Sequence, residues 1–340
     1  MRKDNIAKSK LTQLNNVKSI LIGVIIIGLF LVPFVNTNNY YLNIINKVLI
    51  YIIMALGLNI LVGYTGLVSL GQAGFVAIGA YTTTILTTRL DMNFFIATFI
   101  ALIIAAAFGL LLGLPTLRLI GPYLTIVTLG FGEIIRTIII IWAPVTNGPL
   151  GIRNIPRPSL FGIELTMNNG GLYILTLVSM LLVMLFCHQL YKSKTGRAMR
   201  AIKQDHTASI MMGINTTYYK VLSFVLAAII CALVGSIYST QLGYIDQNTF
   251  TFDMSTMILS IVILGGMGTI RGMVLGSAVL VVLPELSRSL MDYRFVLYGL
   301  VLVLMMRFRP QGLLGWRDSS PYPLSEKAKE TMDFQGKRGV

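Results

Sequence analysis

The chain has 340 residues, 55% of them hydrophobic and 12% charged, with a formal charge of +14 and a mean hydropathy of +0.77. A soluble domain carries about 25% charged residues, so half of the usual polar surface is missing and a water-soluble globular protein is excluded. The positive charge is read as membrane topology and contact with anionic lipid, not as a nucleic-acid surface.

Residues 1–18 are basic and polar, and a first apolar run follows at 20–35. The segment after it, NTNNYYLN, offers no small-residue cleavage site, so the run is read as a retained span and not a signal peptide. A spanning helix needs about 20 predominantly apolar residues. The sequence therefore predicts an all-α integral membrane protein, a polytopic helical bundle with spans at 19–35, 44–62, 72–88, 93–114, 120–143, 172–190, 219–240, 255–266, 273–284 and 295–307. With the N-terminus inside, roughly three-quarters of Lys and Arg fall on cytoplasmic segments, as the positive-inside rule requires. Ten spans with both termini cytoplasmic fit that asymmetry, with eight or nine as alternatives. The membrane domain would then cover 19–307, followed by a cytoplasmic tail at 308–340 whose polar end has the composition of a disordered segment.

The stretch GYTGLVSLGQAGFVAIGAY at 63–81 carries five glycines, each weakening a helix by about 1 kcal/mol relative to alanine. In lipid, close helix packing relies on small residues, and Thr65, Ser69, Ala73 and Ala77 recur every four positions. Two readings stand. One is helix–helix packing; the other is a broken helix lining a substrate path, with Ser69 and Gln72 as polar contacts beside Gly74. Irregular backbone at membrane depth is tolerated only inside protein or along a watery cavity. LGGMGTIRGMVLGSA, at 264–278, poses the same choice: Gly268, Gly272 and Gly276 form a doubled small-residue motif between two short spans. Gly268 and Gly272 therefore join the candidate path.

The span at 120–143 holds Glu133 and Arg136, three residues apart and so on one helix face. A charge at the bilayer centre costs about 2.5–3.5 kcal/mol, which pairing partly offsets. The pair is either a static link to a neighbouring helix or part of the path, meeting the charged ends of a zwitterion. Residues 143–171, rich in Pro and Gly, are expected to form an extracytoplasmic cap. The largest cytoplasmic loop, 191–218, brings Ile210, Met211 and Met212 beside Gly213. Such a short amphipathic segment suits docking of a soluble partner, or lies on lipid. Cys187 and Cys231 sit in apolar runs and, like His188 and His206, show no metal-ligand spacing. There is no Walker A pattern, nucleophile motif or paired-acid constellation, so the chain is not read as an enzyme. Energy for active transport would come from ions or from another subunit.

In order, GYTGLVSLGQAGFVAIGAY, LRLIGPYLTIVTLGFGEIIR, GRAMRAIKQDHTASIMMGI, LGGMGTIRGMVLGSA and RFRPQGLLG resemble the LivM-type permeases of branched-chain amino-acid ABC transporters. The resemblance implies an ABC-importer permease fold in the bacterial inner membrane and a heterodimer with a LivH-like permease subunit. It further implies two cytoplasmic ABC ATPase subunits, an extracytoplasmic substrate-binding protein, and leucine, isoleucine and valine as cargo. ATP would be used by the partner subunits, with no cofactor bound by this chain. An ATPase coupling loop is implied at Gly196, Arg197, Arg200, Thr207, Ala208, Ser209 and Gly213. Thr207, Ala208 and Ser209 stand where the family's loop pattern has Glu-Ala-Ala, so its acid is missing, while Gly213 keeps its distance. A permease of the same superfamily for urea, a short amide or another amino acid is one rival reading. An ion-coupled carrier acting alone is the other.

Overall fold

Backbone groups in hydrocarbon must bond within their own helix or to protein around them, and the fold follows that rule. The computed structural model describes residues 39–116, 121–160 and 163–286, with 299, 300, 303, 304, 307 and 312–314 besides. The expected span at 19–35, the N-terminal segment, most of 295–307 and most of the tail lie outside the described residues.

Helix α1 runs Asn39–Asn59 and continues as a π-helical turn, Ile60–Thr65, closed by Gly66 in the left-handed conformation at φ 74°. Then follow α2 (Gln72–Arg89), α3 (Phe94–Thr116), α4 (Pro122–Ile141) and the single turn α5 (Ala143–Thr146). The second half contains α6 (Gly171–Lys192), α7 (Lys194–Gln204), α8 (His206–Met211), α9 (Thr216–Leu242), α10 (Phe252–Gly265) and α11 (Ile270–Leu286). Among the described residues a 3-10 turn, Gly148–Leu150, and four two-residue strands lie between and beside these helices. β1 (Ile152–Arg153) pairs antiparallel with β4 (Tyr244–Ile245), and β2 (Ser159–Leu160) with β3 (Ile163–Glu164). The described part of the 143–171 stretch is thus folded, and β1 with β4 joins it to the end of α9.

Among the described residues, five helices are long and apolar enough to cross a membrane: Tyr40–Thr65, Phe94–Pro115, Pro122–Ile141, Gly171–Lys192 and Thr216–Leu242. A helix also lies in each of the expected ranges 72–88, 255–266 and 273–284. α2 is 18 residues long and ends on Arg89, and α10 has only 14 residues, while α11 is described over 17 residues, as far as Leu286. The described residues thus hold five helices of spanning length and three shorter ones and do not confirm ten spans; the expected 19–35 and most of 295–307 lie outside them.

α1 is the central post. Ile50, Ile53, Met54, Leu56, Leu58 and Ile60 are completely buried among α6, α9, α10 and α11. Glycine allows α2 and α9 to meet backbone to backbone. A Cβ at Gly79 would strike the Ala232 carbonyl, and one at Gly235 the Val76 carbonyl. Thr83 and Ser236 share a 2.6 Å hydrogen bond across the same seam. α3 and α4 lie outside, with Phe99, Ile103, Leu111, Ile126, Ile134 and Ile141 exposed.

The two glycine-rich stretches are resolved differently. Residues 66–71 are not helical, so Thr65 and Ser69 do not share a helix face with Ala73 and Ala77. Hydroxyl groups support the irregular backbone: Leu70 N donates to Thr128 Oγ1 at 3.1 Å, Ala73 N to Ser255 Oγ at 3.0 Å and Gly71 N to Ser69 Oγ at 3.3 Å. In the second stretch Gly272 and Gly276 pack directly on the α10 backbone, at the carbonyls of Gly265 and Ile261. Gly268 instead forms the α10–α11 turn, at φ 94°.

Gly235→Val should lower the thermal unfolding midpoint in detergent, since overpacking a tight seam costs about 1–3 kcal/mol. Gly130→Ala, placed in a helix where a Cβ would meet nothing within 4 Å, should raise it by up to about 1 kcal/mol. Thermal unfolding of both variants in one detergent checks the opposite signs.

Candidate functional site

Two places hold predicted residues, and of the expected path residues only Glu133 lines the first. The first is a narrow cleft between the start of α2 (Leu70, Ala73), the middle of α4 (Leu129, Gly132, Glu133) and the entry to α10 (Phe250, Thr251, Phe252, Ser255). Its cavity volume is about 10 Å³, near the space a single water needs. In this conformation it is closed to an amino acid.

Glu133 Oε2 pairs with Arg136 Nη1 at 3.3 Å, with the two side chains 43% and 33% exposed. The pair is not symmetric in its other contacts. Arg136 also donates to the Gln247 carbonyl at 3.3 Å and to Asn248 Oδ1 at 3.4 Å, tying α4 to the segment between β4 and α10. Charged groups within a membrane bundle face the interior, a watery cavity or another protein, and Glu133 lies on the cleft wall.

Gln72 does not line the cleft. It is completely buried, its Oε1 accepts from Cys231 Sγ at 3.0 Å, and its Nε2 has no partner. A buried donor left unpaired costs about 1–3 kcal/mol. Ser69 is buried and spends its hydroxyl on the break itself. Gly74 lies against Gly132 Cα and the Phe131 ring, where a Cβ would stand at 3.2 and 3.3 Å. Among the described residues no group of three His, Cys, Asp or Glu could hold a metal ion.

The second place is built on α7 and α8. Ser193 caps α7 by accepting from Gly196 N at 3.1 Å. Gly196 must be glycine, because a Cβ there would strike the Leu190 carbonyl in the tight α6–α7 turn. Met199 and Ile202 bury one face of α7, while Arg197 donates to the Lys192 carbonyl at 3.0 Å. Arg200 lies 4.0 Å over the Tyr191 ring, and Tyr191 rests on Tyr64 of the π-turn at 5.7 Å. Asp205 caps α8 through Ala208 N at 2.9 Å. In that helix Ser209 is buried and Thr207 and Ala208 are exposed, while Met211 and Met212 are 81% and 82% exposed. Gly213 has open space around it and φ +78°, so backbone conformation, not packing, asks for glycine there.

Neither Gly268 nor Gly272 lines the cleft: Gly268 meets Gly63 of the π-turn, and Gly272 packs on Gly265. Gly268 N donates to Asn59 Oδ1 at 2.7 Å, and Leu313 N and Leu314 N donate to the Leu264 and Gly265 carbonyls at 2.8 and 3.2 Å. Sequence reasoning missed Lys203, whose Nζ donates to the Gly63 carbonyl at 2.9 Å. Its spacing of three from Arg200 on a basic amphipathic helix was the available signal.

Residues 40–306 match the family model described as the permease component of the branched-chain amino acid transport system. The chain belongs to that permease family. It is 38% identical to the LivM permease protein of Salmonella typhimurium and 39% identical to that of Escherichia coli, over 288 residues, 78% of this chain and 68% of each relative. The LivH permease protein of Salmonella typhimurium is 26% identical over 287 residues, 78% of this chain and 91% of that protein. No solved structure matches. The permease is accordingly a membrane transport component and not an enzyme.

Within this permease, Glu133→Gln leaves Arg136 on its two remaining acceptors, whereas Arg136→Met strands a carboxylate in an apolar helix. The first should shift unfolding by less than about 1 kcal/mol, as for a half-exposed pair. The second should cost about 2 kcal/mol or more. Thermal unfolding in lipid nanodiscs separates them, and equal losses would contradict the asymmetry.

Proposed function

We propose that this permease is one membrane subunit of an ATP-driven, binding-protein-dependent importer of leucine, isoleucine and valine in the bacterial inner membrane. The observation that carries the reading is the exposure of Met211 and Met212 on α8, held beside a helix that is locked to the bundle. Two unbranched apolar side chains turned outward suit a soluble partner, here one of two ABC ATPases. In this reading residues 191–218 and both termini are cytoplasmic. The 143–171 cap faces outward to the substrate-binding protein, with Arg89, Arg153 and Arg157 lining open clefts on it. A LivH-like subunit pairs with the permease.

The mechanism follows from what is closed and what is rigid. ATP draws the two ATPases together and shifts α7 and α8, capped at Ser193 and Asp205, as one lever. That motion opens the cleft beside Glu133 in an alternating-access cycle. An apolar side chain suits walls of glycine, leucine and phenylalanine, while a zwitterion needs few polar contacts. Glu133 is placed for its ammonium end.

The test is ATP hydrolysis by the reconstituted complex of this chain with its partner permease, ATPases and binding protein. Stimulation by leucine, isoleucine or valine through the loaded binding protein is expected. Stimulation by urea alone would keep the machine and change its cargo, and solute flux by the chain without ATPases would overturn the reading. Replacing Met211 and Met212 by Ser should weaken ATPase binding at least about tenfold, because each buried side chain is worth about 1.5–3 kcal/mol. Co-purification at graded ATPase concentration measures it. Gly213→Val should abolish uptake at normal membrane level, since a β-branched residue resists a positive φ; Gly213→Asn should be tolerated far better.

A further inference from the structure

The C-terminal carbonyls of a helix lack partners within it, and the π-turn Ile60–Thr65 distributes its own unevenly. Three donors share the Leu61 carbonyl: Gly66 N, Leu67 N at 3.1 Å and Thr65 Oγ1 at 2.7 Å. The Gly63 carbonyl accepts from outside, from Lys203 Nζ of α7 at 2.9 Å. An ammonium there also meets the negative end of the α1 dipole. π-turns within α-helices are rare and frequently mark functional sites.

Gly63 has no room on its other side. A Cβ would overlap Asn59 Oδ1 and stand 2.6 and 2.8 Å from Gly268 N and Cα. Asn59, one turn earlier, accepts from Gly268 N at 2.7 Å. The Lys203 stem lies along Gly66, with Cγ 3.2 Å and Cβ 3.8 Å from where a Gly66 Cβ would be. A parallel contact runs from Arg200 through Tyr191 to Tyr64. α7, the π-turn and the α10–α11 turn are therefore joined by direct contacts.

We propose that Lys203 is the positioning residue through which α7 moves the π-turn and, with it, the Gly268 turn between α10 and α11. The inference rests on the reading that partner ATPases drive this permease through α8. Lys203 does not touch the cargo. It sets how much of the loop's movement reaches the short helix α10, whose other end, at Phe252 and Ser255, lines the cleft beside Glu133. Were Lys203 only a helix cap, its removal would lower thermal stability and leave the number of solutes moved per ATP unchanged.

The experiment measures uptake and ATP hydrolysis together in the full reconstituted complex. Lys203→Met should assemble and keep basal hydrolysis within about twofold, while solutes moved per ATP fall at least tenfold. Lys203→Arg, which keeps a charged donor, should restore at least half of the ratio. Lys203→Cys alkylated with 2-bromoethylamine, which restores an ammonium at nearly the same reach and leaves Gly66 untouched, provides a second handle. Alkylation should recover coupling lost in unmodified Lys203→Cys. A coupled wild-type complex beside an equally coupled Lys203→Met, or an alkylated Lys203→Cys that stays uncoupled, overturns the role of Lys203 alone. A wild-type complex whose hydrolysis ignores the loaded binding protein overturns the importer reading and this inference with it.

Discussion

The structure depends on one demand: backbone that leaves the helix inside the bundle must find hydrogen-bond partners in the protein. Between α1 and α2 that demand is met by hydroxyls from three places, Thr128 on α4, Ser255 on α10 and Ser69 within the break. Those same bonds hold α4 and α10 against the start of α2, and so build the cleft that Glu133 lines. At the other end of the break the π-turn meets the demand with an ammonium from α7 and leans on the Gly268 turn. Irregular backbone is therefore what brings the two candidate places into one mechanical unit. Straight helices through residues 60–75 would have no reason to contact α7 or α10 in this way.

Much of the helical frame was legible in the sequence because apolar runs in a membrane protein have few alternatives. The ranges read for α1, α3, α4, α6 and α9 agree with the observed helices to within about three or four residues, except that α1 is already helical at Asn39, the first described residue, and ends in a π-turn. That turn carries no hydropathy signal, since ILVGYT is as apolar as any helix interior. The small-residue stripe from Thr65 to Ala77 was misleading as a periodicity. Four-residue spacing is meaningful only if the helix is continuous, and the hydroxyls that interrupt it come from residues 58 and 182 positions away.

Side-chain roles were less legible than positions. Glu133 and Arg136 were paired correctly by their spacing, because i,i+3 geometry is local. The extra bonds of Arg136 to Gln247 and Asn248 are not local, and they turn a symmetric pair into a tether with one weakly held acid. Gln72 looked like a polar contact for cargo but is bonded to Cys231, 159 residues on. Gly268, Gly272 and Gly276 looked like one motif. The fold separates them, using two for close approach and one for a turn that only a positive φ can make.

The bonds from Leu313 and Leu314 to the carbonyls of Leu264 and Gly265 have a consequence for biosynthesis. Ribosomes deliver residues 312–314 only after both helices of the α10–α11 hairpin have been made. Until then the end of α10 lacks these two partners, and a Cβ-free Gly312, which fits against Gly266, has not arrived to close the turn. The hairpin is thus closed by a segment made after it, and translation that stops short of residues 312–314 leaves the end of α10 without these two partners.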